Sequence, residues 1–463
     1  MSNLTQLRLA AREIFNEALR AVDPAAAVRR AVRLNGLSLN VRDFTIEIRN
    51  RPVYSIAIGK AAAAMATGLQ EALGQTLTAG VLTGSPATRA QRGDHAAWAS
   101  DWTIFHGGHP EPNEQSLAAA RACFDLLERA NRERAVVIFL VSGGGSAMLE
   151  WPISEDITIA DLRAANKALV NSGASISEIN AVRRAFSAVK GGRLAAQAPN
   201  CEQITLIVSD VPAGEERNVA SGPSLTPLEN APNAREVITR YNLLPQLPET
   251  IVRVIETEPG PPENGSASLG RHFVLLDNRS ALEATAEAVR RRGFIAQIAD
   301  DISDQPIAEG CRELLAGLAR LRTGAGVDPG EDTSRVCCLI SGGEFACPVR
   351  GDGIGGRNLE TALRLASLTQ SDLPDYEHFV ALCAGTDGID GNSPAAGAMI
   401  DSTTIARARA VGLDPQDFLE RSDAYSFFVA LGDIVATGPT GTNVRDIRIM
   451  LASALLIQTR AGK

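Results

Sequence analysis

Short runs of apolar residues alternate along the chain with longer segments in which apolar residues recur at helical spacing. The apolar runs carry few charges and many β-branched residues, which is typical of strands buried on both faces of a parallel sheet. The runs predicted as strands are YSIAIG, AGVLTG, DWTIFHGG, AVVIFLVSGGG, ITLIVSDV, HFVLLDN, FIAQIAD, RVCCLISGG, HFVALCAGTDG and DIRIMLAS. Their alternation with helices predicts an α/β fold of βαβ units.

The length of the chain, 463 residues, exceeds what one ordinary core accommodates, so we expect two domains. Residues 259–268, PGPPENGSAS, are rich in Pro, Gly and Ser and follow a helical pattern, as an interdomain linker does. The sequence therefore predicts a Rossmann-like N-terminal domain over residues 1–258 and a C-terminal domain over residues 269–463. Each is expected to contain a mostly parallel sheet flanked by helices.

Charge and composition exclude several classes of partner. The formal net charge is -9 and no basic stripe is present, which argues against a nucleic-acid partner. No apolar run approaches the roughly 20 residues of a membrane span, and the first residues lack the apolar core of a signal peptide. The seven cysteines include no C-x-x-C pair, so we expect reduced thiols in a cytoplasmic protein. The sequence leaves the oligomeric state open, and a homo-oligomer is one of the alternatives.

One arrangement recurs along the chain: a buried strand ends in a short polar or glycine-rich loop that leads into a helix. In open α/β sheets, ligands bind at the carboxyl ends of the strands, where helix N-termini offer backbone N–H groups to anions. Such loops begin at Gly59, Gly143, Asp210, Gly342 and Gly385.

Lys60 follows the turn glycine in AIGKAAAAM, where a cation at the start of a helix is unfavourable unless an anion binds there. The segment is not a P-loop, because the first glycine and the hydroxyl residue of that motif are absent. Gly143, Gly144 and Gly145 allow a phosphate to approach the backbone closely, and Ser146 is placed to cap the next helix. The alternatives are a solvated lysine and a plain strand-to-helix turn.

A basic segment, NAVRRAFSAVKGGRLA, places Arg183, Ser187, Lys190 and Arg193 about one helical turn apart. This spacing fits an anion site and a solvated basic face equally well. Asp210 closes a buried strand, where its carboxylate suits a metal ligand or a base as well as an Asx turn.

The segment RGDGIGGRN matches G-x-G-x-x-G at Gly351, Gly353 and Gly356. These glycines follow CPVRGD instead of coming straight off a buried strand, so we reject dinucleotide binding. Arg357 and Asn358 begin the next helix, where an arginine either grips a phosphate through two hydrogen bonds or is solvated.

Asp387 and Asp390 lie three residues apart among glycines after a buried strand. Two close carboxylates suit a Mg²⁺ ion that also holds substrate phosphates. A tight Asx-type loop is the alternative.

Seven of these segments occur in an order that resembles one family. They are GKAA, VSGGGSA, INAVRRAFSAVKGGRLA, SDVPAG…ASGPS, SGGE…GGRN, GTDGIDG and TGPTGTNV. From these segments the chain is identified as a member of the glycerate 2-kinases with a MOFRL C-terminal domain. The resemblance covers roughly Glu13 to Leu455.

The resemblance implies two α/β domains with the active site in the cleft between them. It also implies transfer of a phosphoryl group from ATP, with Mg²⁺, to the 2-hydroxyl of D-glycerate. The active-site lysine of the family falls on Lys60 and its arginine on Arg357. The chain departs from the family where Ser393-Pro394 replaces the usual Thr-Asp, and where Arg445 replaces a frequent Asn.

These observations combine into a hypothesis for phosphoryl transfer, a reaction that depends on positioning and charge neutralisation. Lys60 and Arg357 would stabilise the transferring group, and Asp210 would orient or deprotonate the glycerate hydroxyl. The remaining assignments are nucleotide contacts at Gly143, Gly144, Gly145, Ser146, Gly342, Gly343 and Glu344, glycerate contacts at Ser187, Lys190, Arg193 and Asn358, and metal ligands at Asp387 and Asp390.

Two other functions stay open at this stage. Some members of the family have been called hydroxypyruvate reductases, so an NAD(P)H-dependent reductase is one alternative, although the weak nucleotide fingerprint argues against it. A sugar-acid or nucleotide binding protein without turnover is the other.

Overall fold

The computed structural model describes residues 3–84, 101–228, 230–257, 270–300, 302–324, 335–371 and 378–453. Helices and strands alternate through them, which confirms the α/β class. The helices are α1 Asn3–Ala21, α2 Pro24–Ala31, α3 Ala62–Leu73, α4 Glu114–Glu133, α5 Gly145–Met148, α6 Ile159–Val170, α7 Ile176–Ala185, α8 Ala234–Arg240, α9 Glu249–Thr257, α10 Asn278–Arg291, α11 Ile307–Gly324, α12 Arg357–Ser371, α13 Thr404–Ala410, α14 Pro415–Glu420 and α15 Ala424–Leu431.

The strands include all ten predicted apolar runs. They are β1 Val32–Asn35, β2 Ser38–Val41, β3 Phe44–Glu47, β4 Val53–Ile58, β5 Leu77–Thr83, β6 Trp102–Phe105, β7 Val136–Ser142, β8 Glu202–Val208, β9 Arg271–Leu276, β10 Ile295–Ile298, β11 Ser303–Pro306, β12 Val336–Ser341, β13 Glu344–Ala346, β14 Phe379–Gly385, β15 Gly397–Asp401, β16 Ile434–Val435 and β17 Asp446–Ser453.

The chain divides into two compact units. The N-terminal unit comprises residues 23–276 and 441–443, and the C-terminal unit comprises residues 1–22, 277–440 and 444–463. These bounds differ from the predicted domains at both ends of the N-terminal domain. The predicted linker, 259–268, lies outside the described residues.

Helix α1 belongs to the C-terminal unit because its apolar face, including Ile14 and Phe15, is buried there and its charges are paired there. Arg8 donates hydrogen bonds to Asp401 and Asp433, each at 2.6 Å. Strand β9, predicted for the C-terminal domain, instead pairs in parallel with β8 of the N-terminal unit. The local sequence does not reveal that α1 and β9 each belong to the other unit, because an apolar helix face or strand does not specify what it packs against.

The N-terminal unit is built on a fully parallel six-stranded sheet in the order β6-β5-β4-β7-β8-β9. Every residue of β4 and β7 is buried, as expected for central strands covered on both faces. The register pairs Ile58 with Val141, and Ser142 with Val208. The loops that follow β4, β7 and β8 therefore leave the sheet side by side at its carboxyl edge. A three-stranded antiparallel meander, β1-β2-β3, belongs to the same unit.

The C-terminal unit contains a six-stranded sheet in the order β10-β12-β17-β14-β15-β16. The prediction of a mostly parallel sheet is wrong here, because β10 and β12 are its one parallel pair among the described strands. The last strand, β17, inserts in the opposite direction between β12 and β14. Its first residues therefore lie at the carboxyl ends of its neighbours: Asp446 opposite Gly385, and Arg448 opposite Ser341.

Candidate active site

Lys60 lies on the loop between β4 and α3, and neighbouring strands fix that loop. The Lys60 N–H donates to the Gly143 carbonyl oxygen at 2.8 Å, and the Ala61 N–H donates to Ser142 Oγ at 3.0 Å. The Lys60 side chain is half-buried. The predicted lysine and the predicted glycine loop are thus brought together by a direct hydrogen bond between their backbones and by a second bond to the Ser142 side chain.

Gly143 and Gly144 are required for close approach of other groups. A Cβ atom on Gly143 would stand 1.8 Å from Asp210 Oδ2, so the Asp210 carboxylate lies directly against this backbone. The Asn443 amide Nδ2 donates to the same oxygen at 3.4 Å. Gly144 adopts a φ of 80°, in the left-handed region that favours glycine. A Cβ there would lie 3.1 Å from Lys60 Cγ and 3.3 Å from His109 Nε2.

Ser146 does not cap α5 as predicted, because the N-cap position is Gly144 and Ser146 lies inside the helix. Its hydroxyl instead forms a 2.7 Å hydrogen bond with Ser221 Oγ, which donates to Asn180 Oδ1 at 2.8 Å. Ala220 and Ser221 both adopt left-handed backbone angles, with φ values of 52° and 61°. Such strain in two successive non-glycine residues is typical of functional sites, where the surrounding structure enforces it.

The side chains of the basic segment that were predicted to contact glycerate form hydrogen bonds and an ion pair within the protein. Lys190 is 1% exposed and pairs with the Glu150 carboxylate, which also accepts a 2.5 Å hydrogen bond from Ser187 Oγ. Burial lowers the pKa of Lys190, and the attraction of Glu150 opposes that effect. Arg193 donates to the carbonyl oxygens of Arg184 and Ser187, the latter at 2.9 Å. These contacts hold the segment together and bury Ser187 and Lys190, and the assignment of the three side chains to substrate stays a prediction.

Arg357 belongs to a chain of charges in the C-terminal unit. Its Nε donates to Asp446 Oδ2 at 2.7 Å, and its terminal nitrogen lies 2.5 Å from Glu344 Oε1. Burial lowers the pKa of Arg357, but Asp446 and Glu344 outweigh it, so the pKa is raised overall. The fully buried Arg448 approaches the same Asp446 oxygen at 3.4 Å and stacks on Phe345, 4.2 Å from the ring centroid.

The loop of Gly342 and Gly343, predicted to contact nucleotide, is held from within the unit. The Gly343 N–H donates to Asn278 Oδ1 at 3.0 Å, and Arg448 donates to the Gly342 carbonyl oxygen at 2.7 Å. Glu344 pairs with Arg357. The Gly343 N–H is thus already engaged, and the loop helps to position Arg357 and Arg448. Its contact with nucleotide stays a prediction.

Asp387 and Asp390 have different surroundings. Asp390 is 3% exposed, and its two carboxylate oxygens accept the N–H groups of Asn358 and Leu359 at 3.1 and 2.8 Å. Burial raises the pKa of Asp390 to about 7 against the effect of these donors. Asp390 and Asn358 thus form the start of α12. Asp387 is half-buried at the end of β14.

Asp446 was missed by the sequence analysis, although it stands next to Asp387. A Cβ atom on Gly385 would lie 3.2 Å from Asp387 Oδ1 and 3.5 Å from Asp446 Oδ1, so the two carboxylates converge over this glycine. The signal in the sequence was a pair of charged residues, Asp446 and Arg448, within an otherwise apolar strand. Among the described residues, no group of three His, Cys, Asp or Glu side chains could hold a metal ion by itself.

The two departures from the family pattern have local explanations. Ser393 Oγ donates to the Asp390 carbonyl oxygen at 2.8 Å and closes the loop without an extra carboxylate. Arg445 has a left-handed φ of 69°, a conformation that Asn adopts more readily than Arg. Hydrogen bonds hold it there, from Arg445 to the Ile302 carbonyl oxygen at 2.8 Å and from Thr386 Oγ1 to the Arg445 carbonyl oxygen at 2.7 Å.

Comparison with known proteins gives matches to one family over nearly the full length of the chain. A family model described as a domain of unknown function, DUF4147, matches residues 10–256, and the MOFRL family model matches residues 337–446. The D-glycerate 2-kinase of Thermotoga maritima is 33% identical over 445 residues, which are 96% of this chain and 98% of that protein. The chain belongs to the glycerate 2-kinase family with a MOFRL domain.

Other relatives of this MOFRL-family chain carry two kinds of name. A putative hydroxypyruvate reductase of Agrobacterium vitis is 35% identical over 97% of this chain and 95% of that protein. The crystal structure of the Thermotoga maritima glycerate kinase superposes with a TM-score of 0.75 at 29% identity, over 97% of this chain and all of that one. The described part of this MOFRL-family chain contains no helix long and apolar enough to cross a membrane.

Proposed function

We propose that the protein transfers the terminal phosphoryl group of ATP to the 2-hydroxyl of D-glycerate, giving 2-phosphoglycerate and ADP. The observation that carries this proposal is similarity to a D-glycerate 2-kinase over nearly the full length of both chains. Lys60 lies on the loop that follows β4, and Arg357 begins α12, where it pairs with Asp446 and Glu344. We assign both cations to the negative charge of the transferring group. All seven cysteines are free, which supports a cytoplasmic location.

Asp210 is our candidate for the group that orients or deprotonates the glycerate hydroxyl. Its carboxylate lies against Gly143 on the same loop cluster as Lys60, and Asn443 holds one of its oxygens. A carboxylate fixed in this way is suited to accept the hydroxyl proton as the phosphoryl group is transferred.

The donor set in the C-terminal unit fits a Mg²⁺ ion. Asp387 and Asp446 present carboxylate oxygens over Gly385, where the absence of a side chain leaves room. Mg²⁺ usually binds one or two carboxylates and completes its shell with water and substrate phosphates, so a pair is sufficient. The bound ion would neutralise phosphate charge. We therefore replace the predicted pair Asp387 and Asp390 with Asp387 and Asp446, and keep Asp390 as the helix cap.

The test is a ³¹P NMR product assay with ATP, MgCl₂ and D-glycerate. We expect a signal of 2-phosphoglycerate, and a fall in kcat/KM of about 10²–10⁴-fold in Lys60→Ala, typical of losing a transition-state charge contact. Lys167→Ala, which changes an exposed lysine on α6, is the matched control and should match the wild type. No phosphoglycerate, together with NADH consumption on addition of hydroxypyruvate, would refute the kinase and establish the reductase.

Arg357→Ala should lose activity by a similar factor. From sequence alone, neither residue was expected to affect stability. The structure changes this expectation for Arg357, because its removal leaves the 3% exposed Asp446 with weaker charge compensation. Arg357→Ala should therefore lower the melting temperature, whereas Lys60→Ala and the exposed control Arg409→Ala should not.

A further inference from the structure

A histidine that the mechanism does not yet use lies beside Lys60. His109 belongs to the loop between β6 and α4, residues 106–113, which we call the histidine loop. Its side chain is exposed. Its ring nevertheless lies at a defined place, since a Cβ atom on Gly144 would meet His109 Cδ2 at 3.1 Å and Nε2 at 3.3 Å. The same point is 3.1 Å from Lys60 Cγ. Apart from the chain neighbours of Gly144, the lysine side chain and the imidazole are thus the groups nearest to its Cβ position.

The histidine loop is held at its base by the start of α4. The Gly108 N–H donates to Ser116 Oγ at 3.0 Å, and Asn113 Nδ2 donates to the His106 carbonyl oxygen at 3.1 Å. Asn113 and Ser116 also form the capping box of α4, which ties the loop to a 20-residue helix. These contacts fix the backbone of the histidine loop at its base.

A second set of hydrogen bonds holds the tip of the loop next to His109. Asn166 Nδ2 on α6 donates to the Pro110 carbonyl oxygen at 2.8 Å. Arg183 on α7 donates to Asn166 Oδ1 through Nε at 3.1 Å and through a terminal nitrogen at 2.5 Å. Arg183 also reaches Asn180 Oδ1 at 3.4 Å, the atom that accepts from Ser221. Polar contacts therefore run without a break from Pro110 to Ser221.

That chain continues into the glycine loop, because Ser221 Oγ is hydrogen-bonded to Ser146 Oγ. The histidine loop and the glycine loop are therefore fixed relative to each other by side chains from α6 and α7 and by the strained turn at Ser221. This arrangement gives a positioning role to Arg183, for which the sequence left an anion site and a solvated basic face equally open.

We propose that His109 is a further catalytic residue, whose imidazole donates a hydrogen bond to the oxyanion that Lys60 binds. The inference rests on the proposed kinase function. It also rests on the convergence of the Lys60 side chain and the His109 ring at the Cβ position of Gly144, in the glycine loop. Phosphate and carboxylate are both oxyanions of the right charge, and the experiment separates the nucleotide from the hydroxy acid as the source.

The first measurement follows the imidazole signals of the histidine-labelled protein by NMR. The chain has five histidines, so the resonance that disappears in His109→Gln identifies this ring. We expect that resonance to shift on titration with inorganic phosphate or with D-glycerate, and to need at least about tenfold more ligand in Lys60→Ala, as for loss of a charged hydrogen bond. A resonance that neither ligand moves overturns the proposal. This readout needs no turnover, so it separates a wrong role for His109 from a wrong reaction.

The second measurement is steady-state kinetics with MgATP and D-glycerate. His109→Ala should lower kcat/KM by about 10- to 100-fold, the range for a hydrogen bond to a charged group, and His109→Gln should recover part of it because its amide donates from a similar position. The KM that rises, for ATP or for D-glycerate, identifies the oxyanion. His106→Gln, an exposed histidine of the same loop, is the control and should stay within twofold. Wild-type rates in His109→Ala overturn the proposal even if the resonance shifts.

Discussion

Replacement of Gly143 by alanine tests the contact between the glycine loop and the candidate base. The three atoms nearest to a Cβ at this position all belong to the Asp210 carboxyl group, at 1.8, 2.3 and 2.9 Å. A real Cβ atom essentially never approaches another heavy atom within 3.0 Å. Either the carboxylate or the loop must therefore withdraw by about 1 Å or more, a displacement that costs a well-positioned catalytic group about 100-fold in rate.

We expect Gly143→Ala to lower kcat/KM for D-glycerate by about that factor of 100. The cost to stability should be that of overpacking, about 1–3 kcal/mol, so the protein should remain folded. Gly324→Ala is the matched control, because a Cβ at the end of α11 meets no atom within 4 Å. The assay couples ADP formation to NADH oxidation at fixed MgATP, with the melting temperature measured for each variant.

A double-mutant cycle decides whether the effect operates through Asp210. Asp210→Ala alone should lower kcat by about 10²–10⁴-fold if the carboxylate is the base. In that background the clash is gone, so adding Gly143→Ala should change the rate by no more than about two- to threefold. An equal loss from Gly143→Ala in both backgrounds, or no loss in the wild type, would refute the reasoning.

Three further expectations follow from the charges of the site. The pKa of Asp390 is raised to about 7 by burial, so the unfolded chain releases this proton first and the free energy of unfolding falls as pH rises from about 4 to about 7. Urea titrations should show this slope in the wild type and a weaker one in Asp390→Asn; parallel slopes would contradict it. Lys190→Met should destabilise by about 3–5 kcal/mol through the uncompensated Glu150, and the double variant with Glu150→Gln should recover stability and keep the wild-type KM for D-glycerate. A raised KM in that double variant would restore Lys190 as a substrate ligand. Asp387→Asn should raise the Mg²⁺ concentration needed for half-maximal rate by at least about tenfold, and an unchanged Mg²⁺ titration would remove Asp387 from the metal site.

The apolar runs determined the strands, because a strand buried on both faces requires uninterrupted apolar residues wherever it pairs. All ten predicted runs form strands, including Val53–Ile58 and Val136–Ser142. The apolar runs could not determine the direction of each strand in its sheet, because the same apolar run suits a parallel and an antiparallel neighbour. The mixed sheet of the C-terminal unit follows from the insertion of β17 between β12 and β14, a long-range choice.

Candidate functional residues in loops could be predicted where the segment itself is unusual. Gly143 and Lys60 were identified in this way, because three successive glycines and a cation at a helix start are locally anomalous. Their assignment to a ligand stays a prediction, but their proximity is a property of the structure. Lys190 shows the limit of the method: its spacing suggested an exposed basic face, and only the position of Glu150, 40 residues away in sequence, shows that the ammonium group is buried and paired.

The sequence by itself determined the α/β class, the strand-forming segments and the loops that carry polar groups to the strand ends. These depend on residue type and short-range periodicity. Tertiary structure decided which carboxylates meet: Asp446 reaches Asp387 and Arg357 only through the register of β17, whereas Asp390 turns inward to cap α12. It also placed His109 beside Lys60. Such pairings depend on contacts between residues far apart in the chain, and no local pattern encodes them.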